Sequence, residues 1–295
     1  MSTLTIGMSA DERPLVLPAA ATRYWAGRHV VVTGGSSGIG LAVTELALAA
    51  GARVSVVALA DAALERLSAG AQASSDVLTV VAADVSNQQE VAAALDRARV
   101  ANGRIDAVIA CAGIAKPNYF ESLTDADFTR HMAVNYFGAL HVIRAALPDL
   151  RDGERASITV ISSMAAVLPC FGYGAYSPSK FAVRALCEVL RQELKPHGIT
   201  VTVVLPPDVD TPQLAAESAT KPPELQALSG STPITAEQVA HALLVGAARG
   251  DASVIPSWNA RLLSWFAGFA PRLVARFVDW TIARVQRRRH GRGEG

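Results

Sequence analysis

The chain has 295 residues, and its 51% hydrophobic and 18% charged content predicts a globular protein with a substantial core, in one large domain or two small ones. A net charge of +1 provides no overall basic field, so nucleic acid is not expected as a partner. Three cysteines without a Cys-x-x-C pair fit neither a disulfide framework nor a zinc site. We therefore expect no metal and a reducing compartment.

The beginning of the chain carries no recognisable targeting signal. Residues 1–27 show no hydrophobic period, and we predict an N-terminal extension that leads into the main domain. This stretch has no basic segment followed by a long apolar one, so no secretory signal peptide is expected. The chain also has no uninterrupted run of about 18 apolar residues, which argues against a spanning helix. The expected location is the cytoplasm.

The first motif is HVVVTGGSSGIG, which begins at His29. Val30–Val32 predicts a short buried strand, and the glycines from Gly34 to Gly40 open a helix that continues through LAVTELALAAG. A strand–turn–helix of this kind directs free backbone N–H groups and the positive end of a helix towards a phosphate. The spacing Gly-x-x-x-Gly-x-Gly differs from the usual Gly-x-Gly-x-x-Gly, and an ordinary tight turn is the alternative.

Strands and helices then alternate along the chain. Strands are predicted at Val54–Ala58, Val77–Ala82, Ala107–Ala110, Ser157–Ser162, Thr200–Leu205 and near Ser253–Ile255, and helices at Asp61–Leu67, Asn87–Val100, Asp125–Leu147, Ala175–Lys195 and Ala236–Ala248. The apolar runs lack period-2 alternation, as expected for parallel strands buried on both faces. We predict an α/β fold with a doubly wound parallel sheet of the Rossmann type, in a single domain over residues 28–257.

A set of chemically active side chains lies in the stretch SMAAVLPCFGYGAYSPSK, residues 163–180. Tyr176 and Lys180 are four residues apart and project from the same face of a helix. A nearby cation favours the ionised form of a phenol, so Lys180 is expected to lower the pKa of Tyr176 and make it a proton donor and acceptor. Ser163 follows a predicted strand that would place it beside the phenol. The alternative is a chance Tyr-x-x-x-Lys on an ordinary helix.

Cys170 lies between these groups. A reactive thiol is conceivable there, but the sequence offers neither a paired histidine nor a second nearby cysteine. We expect an inert packing role.

Residues 207–235 are rich in proline, serine and threonine and follow the carboxyl end of a predicted strand. Ligands of such sheets bind at that edge, so this segment is predicted to be a lid.

The last segment, residues 258–295, is amphipathic and ends in a basic run. It contains Trp258, Trp265 and Trp280, with other apolar residues at spacings of mostly three or four and arginines between them. A peripheral membrane contact fits this pattern. The alternative is a pair of helices, divided at Pro271, that packs on a partner subunit or over a substrate pocket.

Taken in order over residues 29–255, TGGSSGIG, the pair Ser162–Ser163, YSPSK and the later Pro-Pro resemble the short-chain dehydrogenase/reductase family. The resemblance implies an oxidoreductase in which Ser163 polarises a substrate carbonyl and Tyr176 transfers the proton. It also implies that Lys180 binds the nicotinamide ribose and lowers the tyrosine pKa. Asn135, in MAVNYFGAL, matches the asparagine that holds a water in a proton relay. Relatives are usually dimers or tetramers through the two long helices, so a homo-oligomer is expected.

The same resemblance implies a set of dinucleotide contacts. These are Gly34, Ser36, Ser37, Gly38, Ile39, Gly40, Leu59, Asp84, Val85, Gly113, Tyr176, Lys180, Pro206 and Thr211. Two positions depart from the family pattern. Ala110 and Cys111 stand where Asn-Asn-Ala-Gly has its asparagines, and Leu59 stands where arginine usually reads NADP or aspartate reads NAD. NADP(H) is favoured, while NAD(H) stays open because Asp61 and Arg53 are both nearby in sequence.

The motif PPDVDTP, followed by Glu217, Lys221-Pro222 and Glu224, is similar to one branch of this family, the 3-ketodihydrosphingosine reductases. That similarity implies NAD(P)H-dependent reduction of a long-chain 3-keto lipid. One alternative is a dehydrogenase of another bulky apolar alcohol or ketone, such as a steroid or a 3-oxoacyl derivative. A dinucleotide-binding sensor without turnover is the other.

Overall fold

The structure, a computed structural model, describes residues 15–71, 76–229 and 232–290. Its strands are β1 (His29–Thr33), β2 (Arg53–Ala58), β3 (Leu78–Ala82), β4 (Ala107–Ala110), β5 (Ser157–Ile161), β6 (Thr200–Val204), β7 (Val209–Asp210), β8 (Ile234–Thr235) and β9 (Ser253–Val254). Its helices are α1 (Ala19–Trp25), α2 (Gly38–Ala49), α3 (Ala62–Ala71), α4 (Gln88–Asn102), α5 (Asp125–His131), α6 (Gly138–Arg151), α7 (Tyr176–Leu194), α8 (Pro212–Glu217), α9 (Pro223–Leu228), α10 (Ala236–Arg249), α11 (Trp258–Phe269) and α12 (Pro271–His290).

A seven-stranded parallel sheet forms the centre of the fold, in the order β3-β2-β1-β4-β5-β6-β9. All five residues of β1 and of β5 are buried, which explains why the strand sequences read as continuous apolar runs rather than alternating ones. The strand order reverses at β1, whose neighbours are β2 and β4. A crevice at the carboxyl ends of the strands is expected at such a reversal. The predicted doubly wound α/β fold is confirmed.

The N-terminal stretch that was expected to be an extension contains a helix packed on the core. Trp25 of α1 is fully buried, and its indole Nε1 donates a hydrogen bond to the carbonyl oxygen of Leu244, at 3.0 Å. Leu17, Ala21 and Tyr24 are also buried on this face. The stretch is short and rich in alanine and proline, so its apolar period is too brief to be recognised in the sequence. The packed part of the chain thus begins before residue 28.

The long helix predicted from Asp125 is interrupted by one wider turn. Helix α5 leads into a π-helical turn, Met132–Phe137, and α6 follows directly. Turns of this type are rare overall, but those that occur are often found at functional sites. Here the turn carries Asn135. The side chain of Asn135 is buried.

The predicted lid contains two short helices and is closed by a small sheet. Strand β7 pairs in parallel with β8, with Val209 opposite Ile234 and Asp210 opposite Thr235. Helices α8 and α9 lie between these two strands along the chain. The pairing brings the two ends of the lid together. The lid is therefore a long loop whose two ends are adjacent.

Two helices follow the sheet, separated at Pro271 as the sequence predicted. Helix α12 packs against α9 of the lid, and Arg289 Nη1 donates a 2.7 Å hydrogen bond to the Tyr119 hydroxyl. Among the described residues, no helix is both long enough and apolar enough to cross a membrane.

We predict that Trp25→Ala will destabilise the protein by ~3–5 kcal/mol, because it leaves a large cavity and removes the indole hydrogen bond to the Leu244 carbonyl. Urea unfolding followed by far-UV circular dichroism would measure the difference. Val16→Ala is the control, since Val16 precedes the same helix but is 78% exposed. A loss below about 1 kcal/mol for Trp25→Ala would show that α1 is not part of the folded core.

Candidate active site

The glycine-rich turn lies between β1 and α2 and has no room for side chains at its closest approaches. A Cβ on Gly34, whose φ is +66°, would lie 2.9 Å from backbone atoms of Ala112. A Cβ on Gly40 would overlap the carbonyl oxygen of Gly34. Ser37 precedes α2 and makes no side-chain hydrogen bond to the helix end. The free N–H groups at the start of this twelve-residue helix therefore face the crevice, which fits a bound pyrophosphate.

The same turn contacts the lid. Gly38 has a φ of +50°, and a Cβ there would lie 3.2 Å from Cγ2 of Thr211. Thr211 is the residue before α8 and accepts a hydrogen bond from Leu214 N. Gly34, Ser37, Gly38, Ile39 and Gly40 line the crevice together with Pro206 and Thr211, whereas Ser36 of the predicted set is buried behind the turn.

The segment after β4 is held without the two asparagines that the family pattern places there. Cys111 N donates to Thr33 O at 3.2 Å, and Ala112 N donates to the Thr33 hydroxyl oxygen at 3.3 Å. Asn135 then makes a two-way contact with Ile114, accepting from its N–H at 2.8 Å and donating to its carbonyl at 3.0 Å. Thr33 and Asn135 thus position the strand end. The predictions from sequence did not include Thr33, whose role depends on register with the neighbouring strand.

Three groups converge where β5 ends and α7 begins. Lys180 is 4% exposed, donates to Ile161 O at 3.1 Å, and has its Nζ 5.7 Å from the centre of the Tyr176 ring. Ser163 lies beside the Tyr176 side chain, and its hydroxyl oxygen accepts a hydrogen bond from Ala165 N at 3.0 Å. The structure therefore brings together the serine, tyrosine and lysine that the sequence singled out. Their individual roles stay predictions.

Asn135 is linked to this group by hydrogen bonds to the Ile114 backbone and to Ser179 of α7. Its amide nitrogen donates to Ser179 Oγ at 2.8 Å, one residue before Lys180. A Cβ on Gly113 would lie 3.2 Å from both Asn135 Oδ1 and Lys180 Nζ. Because Gly113 has no side chain, Lys180 of α7 and Asn135 of the π-helical turn can both approach the segment after β4.

The electrostatics of the site differ in one respect from the expectation. Burial raises the pKa of Tyr176, and the neighbouring Ser163 hydroxyl offsets only part of this rise. The sequence reasoning predicted a lowered pKa from the nearby Lys180 charge. Lys180 is itself buried, however, and burial lowers its own pKa to about 8. Desolvation thus affects both partners of the pair, which a pattern of residue types does not reveal.

Cys170 lies in the crevice wall, where burial raises the pKa of its thiol to about 11. Its Sγ contacts Leu168 O at 3.3 Å. A protonated, hydrogen-bonded thiol agrees with the expected packing role.

The pair expected to meet an adenine is placed after β3. The Asp84 carboxylate accepts from the N–H and the hydroxyl of Ser86, at 2.9 and 2.7 Å. Burial alone would raise the pKa of Asp84, but these hydrogen bonds outweigh it and lower the pKa. Val85 is buried and packs on Gly138, where a Cβ would come within 2.7 Å of the valine.

The end of β2 carries neither of the charged residues that usually read the coenzyme. Leu59 is 50% exposed there. Asp61 accepts from Ala63 N and Leu64 N at the start of α3, so its carboxylate is used as a helix cap. Arg53 begins β2, at the opposite edge of the sheet, and donates to Gly27 O. Arg53 is therefore excluded as a reader of a 2′-phosphate.

A cleft of about 530 Å³ runs from the glycine-rich turn past Tyr176 and Lys180 to the last two helices. Its outer wall is apolar and includes Leu225, Leu263, Val274, Phe277 and Val278. The sequence left open whether the C-terminal segment contacts a membrane, a partner subunit or the pocket. In the structure, one face of its two helices packs over the pocket. The sequence pattern indicated amphipathic helices but not which face meets the cleft.

Tyr173 and Glu217 also line this cleft and were not among the predicted site residues. The Tyr173 hydroxyl donates to Glu217 Oε2 at 2.7 Å, and the ring of Tyr173 lies 4.9 Å from that of Tyr176. The pattern of lid residues contained Glu217, but sequence alone did not bring it next to Tyr173.

Comparisons with known proteins agree with this geometry. Residues 28–222 match the family model described as short chain dehydrogenase. The chain is 36% identical to 3-ketodihydrosphingosine reductase of Bos taurus over 266 residues, which is 88% of this chain and 78% of the relative. It is 35% identical to a 3-dehydrosphinganine reductase of Arabidopsis thaliana over 293 residues, 91% of this chain and 86% of the relative.

Among solved structures, the fold is similar to that of a short chain dehydrogenase/reductase from Burkholderia phymatum in complex with NAD. The TM-score is 0.76 and the identity 24%, over 85% of this chain and 96% of that one. At this identity the likeness shows the fold. Together with the family match and the similar reductases, it identifies the chain as a member of the short-chain dehydrogenase/reductase family, an oxidoreductase that uses a nicotinamide dinucleotide.

Proposed function

We propose that this enzyme reduces 3-ketodihydrosphingosine to dihydrosphingosine with NADPH. The observation that carries the proposal is the cleft that joins Tyr176 and Lys180 to an apolar wall built by α9, α11 and α12. A long-chain ketone needs a polar reacting end and an extended apolar channel. Relatives at 35–36% identity over most of the chain bear the name of this reductase or of 3-dehydrosphinganine reductase.

The roles of the site residues follow from their placement. When bound, the dinucleotide supplies the hydride. Ser163 would donate a hydrogen bond to the substrate carbonyl oxygen, and Tyr176 would deliver the proton to that oxygen. A raised tyrosine pKa keeps the phenol protonated at neutral pH, which suits the reductive direction. Lys180 would bind the nicotinamide ribose, and Asn135 would orient the polar groups behind it and hold the water of a proton relay.

NADPH is proposed over NADH because of the surroundings of Leu59. Within the described residues, the end of β2 presents an exposed apolar side chain, and Asp61, the first carboxylate that follows in the sequence, caps α3. No carboxylate is thus positioned there to bond the free ribose hydroxyls that NAD carries. A kcat/KM that is higher for NADH than for NADPH would contradict this part of the proposal.

We expect the wild-type enzyme to oxidise NADPH with 3-ketodihydrosphingosine faster than with a steroid ketone or a 3-oxoacyl thioester of equal concentration. Tyr176→Phe should lower kcat by ~10²–10⁴-fold while dinucleotide affinity is kept, because only the proton-donating hydroxyl is removed. Absorbance at 340 nm and fluorescence titration measure the two quantities. Preference for another ketone would favour the alternative dehydrogenase, and no turnover of any ketone would favour the sensor.

A second expectation concerns pH. Because the pKa of Lys180 is lowered to about 8, its ammonium form predominates below that pH and is lost above it. If the ammonium holds the dinucleotide, kcat/KM for the dinucleotide should be level near pH 7 and fall above about pH 8. Lys180→Met should have a lower kcat/KM without this fall. A wild-type profile that stays level to about pH 10 would show that Lys180 does not titrate as described.

We also propose that the outer face of α11 and α12 contacts an anionic membrane surface, from which a lipid ketone would enter the cleft. Exposed aromatic residues on these helices that do not line the cleft include Trp258, Trp265, Phe269 and Trp280. Trp265 and Phe269 stack with ring centres 5.2 Å apart. Arg272, Arg276, Arg284, Arg287 and Arg288 are exposed on α12, as a contact with anionic headgroups requires.

The membrane contact is testable by co-sedimentation with vesicles. We expect the wild type to bind vesicles of phosphatidylserine and phosphatidylcholine at low salt, and to bind less at high salt or to neutral vesicles. Trp265→Ala with Phe269→Ala should reduce binding at least tenfold, since each large side chain contributes ~1.5–3 kcal/mol when fully removed from water. Val100→Ala is the control, because Val100 is 90% exposed on α4. Equal binding of all variants would contradict the proposal.

The expected homo-oligomer stays a prediction. Phe137 and Phe181, on the two long helices, are 44% and 38% exposed in the single chain. A partner subunit packed on these helices would cover such apolar side chains.

A further inference from the structure

The substrate proposed above carries an ammonium group on the carbon next to its ketone. A group that binds this ammonium must therefore lie close to the proton-donating phenol. Primary ammonium groups have three donors and no acceptor, so a buried carboxylate is the strongest protein partner for them. The lid supplies buried or partly buried carboxylates at Asp208, Glu217 and Glu224.

Two of these carboxylates already have cationic partners. Asp208 Oδ2 lies 3.2 Å from Lys221 Nζ, within an ion pair of the lid. Glu224 is 1% exposed and accepts from the Tyr119 hydroxyl, with Arg289 Nη1 4.0 Å from its Oε1. It does not line the cleft. Both residues thus have a structural use that accounts for their charge.

Glu217 is different. It is 6% exposed, yet it lines the cleft, and its two oxygens accept hydrogen bonds only from neutral donors. Tyr173 donates to Oε2 at 2.7 Å and Gln213 Nε2 donates to Oε1 at 3.1 Å. None of the ion pairs formed by the described residues includes Glu217. A buried carboxylate that has only neutral donors gains from an additional cation.

Glu217 is also electrostatically close to the reacting phenol. Burial is the largest cause that raises the pKa of Tyr176, and the negative charges of Glu217 and Asp208 add to it. Asp208 also lines the cleft, but its charge is already paired with Lys221. The ring of Tyr173 packs on that of Tyr176 while its hydroxyl holds the Glu217 carboxylate. Tyr173 thus contacts both residues, so a cation bound at Glu217 would lie near the Tyr176 phenol.

We propose that Glu217 is the specificity-determining residue that binds the 2-ammonium group of the substrate, with Tyr173 as the residue that positions its carboxylate. This inference rests on the proposed function and adds an orientation to it. The head of the substrate lies between Tyr176 and Glu217, and the alkyl chain extends along Leu225, Leu263 and Phe277. The enzyme then distinguishes an amino ketone from an uncharged ketone of equal length.

The test compares two ketones on the full-length enzyme with saturating NADPH. One is 3-ketodihydrosphingosine, and the other is the matching 1-hydroxy-3-ketone without the amino group. For Glu217→Gln, which keeps size and hydrogen bonding but removes the charge, we expect kcat/KM to fall about 10- to 100-fold for the amino ketone and less than about threefold for the other. Glu224→Gln, the same change at a lid carboxylate outside the cleft, should leave the ratio of the two values unchanged.

Equal losses on both ketones, or an unchanged ratio, would overturn the proposal, because Glu217 would then act on the fold or on Tyr176. If Glu217→Gln does not fold, Tyr173→Phe decides, since it keeps the ring and removes one hydrogen bond to the carboxylate. It should lower the ratio of the two kcat/KM values about three- to tenfold, and an unchanged ratio contradicts the proposal. Failure of the wild type to reduce the amino ketone, while it reduces the uncharged one, would instead refute the proposed function.

Discussion

Burial of the Lys180 ammonium is the constraint on which the arrangement of the site depends. A nearly fully buried cation needs hydrogen-bond acceptors, and among the described residues the carbonyl oxygen of Ile161 at the end of β5 provides one. Gly113 leaves space on the other side, because any Cβ there would lie 3.2 Å from the lysine nitrogen. The sheet register, the glycine and the helix position must agree before the lysine can occupy this place.

The same constraint explains the irregular helix that faces it. Asn135 must reach Ile114 on the segment after β4 and Ser179 on α7 at the same time. A π-helical turn places its side chain towards both partners, while Gly138 lets the next part of the helix approach Val85. Contacts with two other elements therefore help to stabilise the wider turn.

The lid and the C-terminal helices form the second half of the cleft by a different principle. Partly buried polar groups connect these elements to one another and to the rest of the fold, such as Tyr119 with Glu224 and Arg289, and Asp208 with Lys221. Such pairs fix geometry more than they add stability, because charges lose hydration on burial. The apolar wall they support consists of side chains from α9, α11 and α12, whereas the reacting groups come from the sheet edge and α7. Substrate recognition can thus vary without change to the chemistry.

The sequence determined the doubly wound sheet, the glycine-rich turn, the Ser163–Tyr176–Lys180 group and the division of the tail at Pro271, because each depends on local spacing or on a residue with a restricted backbone. Only the tertiary structure decided that α1 packs on the core, that Thr33 holds the segment after β4, and that Glu217 meets Tyr173 beside Tyr176. It also decided that burial raises the pKa of Tyr176. These features depend on desolvation and on contacts between residues far apart in the chain, which no local pattern contains.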